Sequence, residues 1–244
     1  MPVYNEMATL RTIVERVLAV IAGPGVDTEL ICIDDGSTDG SRELLAELAA
    51  KDDRIRVVLH EVNQGKAGAL QTGFRAAKGD LVIIQDADLE YDPEEFPKIM
   101  APLLDGRAEV VFGSRFQGPQ QRVHLFLHYI ANRMLTLFSN ICTNLNLTDM
   151  ECCYKAFRRE VLDALTIQSR RFAVEPELTQ KVAKLGVRVY EVGCSYHGRD
   201  YSEGKKIGFS DAIEAVWAIL RFKIFWYPPR DFAISRWTLR RSGR

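Results

Sequence analysis

Two aspartates spaced i, i+2, Asp86 and Asp88, follow the unbroken apolar run Leu81–Ile84. Carboxylates that close together can present oxygens to one hard cation, and a Mg²⁺ or Mn²⁺ held by few protein ligands completes its shell with substrate phosphates. The apolar run reads as a strand buried on both faces of a parallel sheet. The acidic pair then falls at its C-terminal end, the edge where ligands bind in open α/β sheets. The pattern predicts a metal–diphosphate site. A D-x-D alone also suits turns and helix caps, where Asp bonds locally, so its neighbours decide. One neighbour is a second acidic pair, Asp34-Asp35, at the end of the run Glu29–Ile33. A cap needs one acid, and two together cost self-repulsion that a cap alone does not require.

Strands and helices alternate around these pairs. A helix carries Leu10, Ile13, Val14 and Val17 on one face and stops at Gly23-Pro24-Gly25. Asp39 is a plausible N-cap for a helix with Leu44, Leu45 and Leu48 inside. Ile55–Leu59 reads as a strand passing through Asn63-Gln64-Gly65-Lys66 into a helix with Leu70 and Phe74. After the D-x-D come a helix with Phe96, Ile99 and Leu103, a strand at Val110–Phe112 and Gly113-Ser114-Arg115. A long apolar stretch, 123–142, a helix from near Glu175, a strand at 187–192, a Gly- and Lys-rich connection and a helix near 209–225 complete the chain. This alternation predicts a mostly parallel sheet with helices on both faces. It also predicts one domain, 1–227, and a basic tail, 228–244.

Composition sets bounds. The chain has 244 residues, 47% hydrophobic and 27% charged, with net charge -1, ordinary for a globular protein and without the basic excess of a nucleic-acid binder. Five cysteines without a C-x-x-C argue against a zinc site or disulfide framework and for a reducing cytoplasm. No signal peptide and no uncharged apolar stretch of spanning length are visible. No G-x-G-x-x-G follows a strand, which argues against a dinucleotide dehydrogenase.

Taken in order, Pro2-Val3-Tyr4-Asn5-Glu6, Asp34-Asp35-Gly36-Ser37, Asn63-Gln64-Gly65-Lys66, Asp86-Ala87-Asp88-Leu89-Glu90 and Gly113-Ser114-Arg115 resemble the family 2 inverting glycosyltransferases. The likeness is greatest to their dolichol-phosphate mannose synthase and polyprenyl-phosphate glycosyltransferase branch, which LTDMECCYK (147–155) and the segment from His197 to Gly208 also fit. The resemblance implies a GT-A type fold, here with its first strand apparently missing ahead of Pro2, a nucleotide–sugar donor linked to GDP or UDP, and Mg²⁺ or Mn²⁺. It implies that Pro2, Tyr4, Glu6, Asp34, Asp35, Lys66 and Asp86 bind the donor, and that Asp86 and Asp88 hold the metal. Arg115, Arg199 and Lys206 would stabilise the charge that builds on the leaving diphosphate, Arg199 and Lys206 from a closing loop.

A hydroxyl acceptor needs a base; a polyprenyl phosphate, already anionic, needs positive charge. Arg115, His124 and His128 are the acceptor candidates, the two histidines being i, i+4 on one helical face. Glu175 is a base candidate for a hydroxyl, though Glu-Pro-Glu is also a common helix start. A prenyl tail would require peripheral contact at the inner face of the cell membrane, through the apolar stretches 123–142 and 216–227. Two alternatives stay open: transfer to a hydroxyl in cell-wall or surface glycan synthesis, and a truncated nucleotide–sugar-binding protein without turnover.

Overall fold

The computed structural model describes residues 1–20, 27–117, 126–169, 173–198 and 209–232. Its elements in order are β1 (Pro2–Val3), α1 (Leu10–Val20), β2 (Leu30–Asp34), α2 (Ser41–Ala49), β3 (Ile55–Leu59), α3 (Gly65–Ala76) and β4 (Leu81–Ile83). A 3-10 turn at Pro93–Glu95 leads into α4 (Phe96–Leu104) and β5 (Val110–Ser114). Then follow α5 (Phe126–Thr143), β6 (Lys155–Arg158), α6 (Arg159–Asp163), α7 (Val174–Leu185), β7 (Val189–Gly193) and α8 (Phe209–Phe225).

The helix faces lie where the periodicity puts them. Leu10, Ile13, Val14 and Val17 of α1 are buried, as are Leu44, Leu45 and Leu48 of α2, each worth about 1.5–3 kcal/mol by area removed from water. β1, β2 and β3 form a parallel sheet in that order. Where the sequence leaves the first strand apparently missing, Pro2 and Val3 themselves pair with Ile33 and Asp34. β2 is therefore hydrogen-bonded on both sides, and its five residues are all buried.

The second sheet runs β4-β6-β5-β7, with β6 antiparallel to both neighbours and β7 parallel to β5. β4 and β5 therefore point the same way, and their C-terminal ends share an edge with the segment entering β6. The apolar pattern does not announce β6, because two of its four residues are charged. Their charges are hidden: Lys155 Nζ donates to Met150 O at 3.0 Å and lies over the Phe112 ring, and Arg158 Nη2 donates to Leu103 O at 2.6 Å. β4 is shorter and less buried than its apolar run suggests. Leu81–Ile83 are half-buried, and Ile84 extends the pairing with one N–H to Lys155 O at 3.0 Å.

Candidate active site

The end of β4 delivers Gln85-Asp86-Ala87-Asp88 to the junction of the two sheets. Thr9 Oγ1, at the start of α1, donates to Ala87 O at 2.8 Å. Lys66, in the first turn of α3, donates to Asp86 Oδ2 at 3.0 Å, and its Nζ stands 3.0 Å from Glu175 Oε1 on α7. One ammonium thus bridges carboxylates from β4 and α7. Burial pushes the Asp86 carboxyl up, but the Lys66 charge together with hydrogen bonds from Cys153 and Lys66 outweighs it and holds the group below the usual carboxylate range. The same partners raise the Lys66 ammonium well above its ordinary value against the opposing effect of burial. Asp88 Oδ1 accepts the Glu90 N–H at 3.1 Å, closing the turn in which Leu89 takes φ +61.

The 34–41 loop and the 4–7 loop brace each other. Asn5 N–H donates to Ser37 Oγ at 3.1 Å and Asn5 Oδ1 accepts from Thr38 N–H at 2.8 Å, while Glu6 and Met7 N–H groups go to Ser41 Oγ and Asp39 Oδ2. Tyr4 is exposed at 44%; Pro2 and Glu6 are half-buried. Asp34 accepts from Arg42 Nε at 2.8 Å. Asp35 accepts Gln64 and Gly65 N–H at 2.9 and 2.7 Å, capping α3, and meets His60 Nδ1 at 2.7 Å. Both acids expected at the donor are thus engaged within the protein, which answers the repulsion argument: each has its own cation or donor set. Gly36, at φ +77, sits where a Cβ would lie 3.1 Å from Asn63 N, so the close approach of these loops requires glycine.

Arg115, just past β5, gives Nε and Nη2 to Asp149 Oδ2 and Oδ1 at 2.7 and 2.8 Å, and its backbone N–H to Oδ2 at 3.0 Å. Asp149 is fully buried. Burial raises its carboxyl, but Arg115 prevails and holds it low. Arg115 also stacks over Tyr196 at 5.2 Å. Asn132 Nδ2 of α5 donates to Asp149 Oδ1 at 3.3 Å, and Thr136 Oγ1 accepts Met150 N–H at 3.2 Å. α5 is therefore turned inside out. Thr136 and Ser139 are buried, whereas Leu127, Met134, Leu137 and Ile141 are 61–76% exposed.

His128 lies on α5 one turn before Asn132, half-buried. His124, Arg199 and Lys206 lie outside the described residues, as does most of the basic tail. The segment leading toward Arg199 is fastened to the D-x-D loop: His197 N–H donates to Glu90 O at 2.8 Å, Tyr196 OH to Glu90 Oε2 at 3.1 Å and Ser195 Oγ to Glu95 Oε1 at 2.9 Å. Sequence reasoning assigned no role to Asp149, Glu191, Tyr196 or Glu90. Glu191 of β7 accepts the N–H groups of Thr148 and Asp149 at 2.8 and 3.1 Å. The polar run Thr148-Asp149 after an apolar stretch was the available signal; Glu191 carried none beyond strand alternation.

A model of Glycosyl transferase family 2 matches residues 1–166. The chain belongs to glycosyltransferase family 2. Relatives of this family 2 member include undecaprenyl-phosphate 4-deoxy-4-formamido-L-arabinose transferases. That of Aeromonas hydrophila is 34% identical over 84% of this chain and 60% of that protein; that of Proteus mirabilis is 32% identical over the same shares. The chain thus spans about three-fifths of the length of these relatives. Among solved structures, glucosyl-3-phosphoglycerate synthase from Mycobacterium tuberculosis, in complex with Mn²⁺, UDP and phosphoglyceric acid, superimposes with TM-score 0.69 at 23% identity, covering 94% of this chain and 78% of that one. This likeness confirms the GT-A type fold of the chain.

No cluster of three or more His, Cys, Asp or Glu side chains suited to a metal occurs among the described residues. The oxygen donors that could hold a divalent ion are Asp88 and Asp86, the latter already facing Lys66. An all-oxygen set of two carboxylates suits Mg²⁺ or Mn²⁺ if substrate oxygens supply the remainder. On that count the residues present fit the ion.

Proposed function

We propose that this glycosyltransferase moves a sugar from a nucleoside-diphosphate donor to a polyprenyl phosphate, undecaprenyl phosphate by analogy with its relatives. The observation that carries the reading is α5: its polar face meets the Asp149–Arg115 pair while its apolar face looks outward. A water-soluble acceptor gives no reason for that inversion; a lipid-borne one does.

In this reading the braced loops around Tyr4, Glu6, Asp34 and Asp35 form the nucleoside pocket, with Pro2 at its floor. Asp34 and Asp35 shape the pocket by fixing the loop and α3. Lys66 holds Asp86 in place and ionised. Asp88, with Asp86, would hold the divalent ion, which would supply positive charge to the donor diphosphate. An oxygen of the acceptor phosphate forms the bond to the anomeric carbon, and the electron pair of the breaking C–O bond leaves with the nucleoside diphosphate, inverting the centre. The attacking oxygen is already ionised, so no side chain must take a proton. Arg115, held by Asp149 and Tyr196, would donate guanidinium N–H groups to phosphate, His128 and His124 would bind the acceptor, and Arg199 and Lys206, which follow Gly198 in sequence, would add positive charge.

Among the described residues no helix is long and apolar enough to cross a membrane. Contact with lipid falls to α5 and to α8 with the residues just after it, where Trp217, Phe225 and Tyr227 are 61–74% exposed near Arg221 and Lys223 in sequence.

Labelled UDP- and GDP-sugars are offered with undecaprenyl phosphate in phosphatidylglycerol vesicles, with Mn²⁺ or EDTA. Label should enter the organic phase with metal only, and Asp88→Ala should stop it. Label confined to water-soluble product would assign a hydroxyl acceptor instead. Flotation with the vesicles should be lost in Leu137→Glu/Ile141→Glu without loss of fold.

A further inference from the structure

Glu151 differs from every other charged group near the site. The segment around it is tied down almost residue by residue. Thr148 and Asp149 N–H groups go to Glu191, Met150 N–H to Thr136, Cys153 N–H to Tyr91 OH, and Tyr154 OH to Gln85 Oε1. Glu151 Oε1 is enclosed and has no hydrogen-bond partner, the one such side-chain atom among the described residues. Buried polar atoms without partners are rare enough that each calls for a reason.

Local charge supplies it. The charges that act on Glu151 are those of Glu175 from α7, Lys155 from β6, Arg115 from the end of β5 and Asp149 from its own segment. Arg115 is taken by Asp149, and Lys66 is shared by Asp86 and Glu175. Lys155 spends its Nζ on the carbonyls of Met150 and Cys152. The cations Arg115, Lys66 and Lys155 are matched by Asp149, Asp86 and Glu175, so Glu151 as a carboxylate would stand in excess. Burial first, and Glu175 second, push its carboxyl up to about 8.

We propose that Glu151 works as a neutral acid whose O–H is kept for a phosphate oxygen of the substrate, either the donor diphosphate or the acceptor phosphate. This rests on the transferase reading above. A carboxylate here would repel phosphate, whereas a carboxylic acid donates a short, charge-assisted hydrogen bond to it. The unpartnered oxygen is then one kept for a ligand, near the Arg115–Asp149 pair and near Glu175, which Lys66 ties to Asp86. No proton is transferred; the acid only binds.

The test uses Glu151→Gln, which keeps a neutral donor, and Glu151→Ala, which removes it. KM for donor and for acceptor is measured between pH 6 and 10. In the wild type one KM should climb above about pH 8, approaching tenfold per unit as the acid ionises. Glu151→Gln should keep KM near the wild-type neutral value and lose that alkaline rise; Glu151→Ala should raise the same KM about tenfold at every pH. The substrate whose KM responds identifies which phosphate is held. An unchanged alkaline rise in Glu151→Gln, or equal impairment of Gln and Ala variants, overturns the proposal. Two readouts do not depend on turnover. Infrared spectra should show a protonated-carboxyl band at pH 7 that titrates near 8 and is absent from Glu151→Gln. Affinity by calorimetry for pyrophosphate, or for inorganic phosphate if the acceptor phosphate is the one held, should fall above pH 8 in the wild type and not in Glu151→Gln. A wild type that shows both but transfers no sugar would refute the function and leave Glu151 as assigned; an ionised Glu151 at pH 7 would refute the assignment whatever the activity.

Discussion

Asp149→Ala removes the sole carboxylate that Arg115 pairs with among the described residues. Asp149 is fully buried and Arg115 retains 14% side-chain exposure. Deleting one member of a buried pair costs about 3–5 kcal/mol, because the survivor is left desolvated and unpaired. The residual exposure of Arg115 lets water recover part of this, while the loss of acceptors for its backbone N–H and for Asn132 adds to it. We therefore expect about 3 kcal/mol, or a Tm lower by about 6–12 °C for a chain of this size. Arg115→Met should cost a similar amount by stranding Asp149. The double variant should lose about 2 kcal/mol less than the sum, since neither charge remains to be stranded. Urea unfolding followed by circular dichroism measures all three. Additivity within about 0.5 kcal/mol would mean that the pair is not coupled, and the account of Arg115 as a locked cation would fail.

Lys66→Met leaves Asp86 and Glu175 without their shared cation and should weaken Mn²⁺ binding and turnover about 10–100-fold, as loss of a ligand-orienting partner does; unchanged Mn²⁺ affinity by calorimetry would contradict this. Gly113→Ala places a Cβ 2.8 Å from Tyr154 Cβ and 2.9 Å from Cys152 Sγ. Overpacking of this kind should cost about 1–3 kcal/mol, read as a lower urea midpoint. Glu151 carries a folded-state carboxyl raised from 4.5 to about 8, so the native state binds more protons than the unfolded one across that window. Its stability should be highest at the acidic end and decline as pH rises from about 4.5 to 8, by at most about 5 kcal/mol. Melting curves of Glu151→Gln should lack that decline; if they keep it, another group is responsible.

What could be read from the chain was what apolar periodicity and short acidic motifs encode. The faces of α1 and α2, the run into Asp34-Asp35 and the D-x-D past β4 follow from side-chain spacing alone. β6 escaped because Lys155 and Arg158 are buried against carbonyls and a ring, an arrangement that exists only after Phe112 and Leu103 are in place. The partners of Asp35, which are Gln64, Gly65 and His60, were illegible because they are 25–30 residues away in sequence. The pairing of Arg115 with Asp149, 34 residues apart, was illegible for the same reason. Sequence reports which groups carry charge, and only the fold reports which charge answers which.

The antiparallel strand β6 acts as a ruler. β4 and β5 do not pair with each other; each pairs with β6, so the step from the D-x-D strand to the Arg115 strand equals two interstrand spacings, about 10 Å. That gauge is set by main-chain hydrogen bonds and not by side-chain bulk. The surrounding loops could therefore change while the distance between the Asp86–Asp88 end and the Arg115 end of the candidate site stays the same.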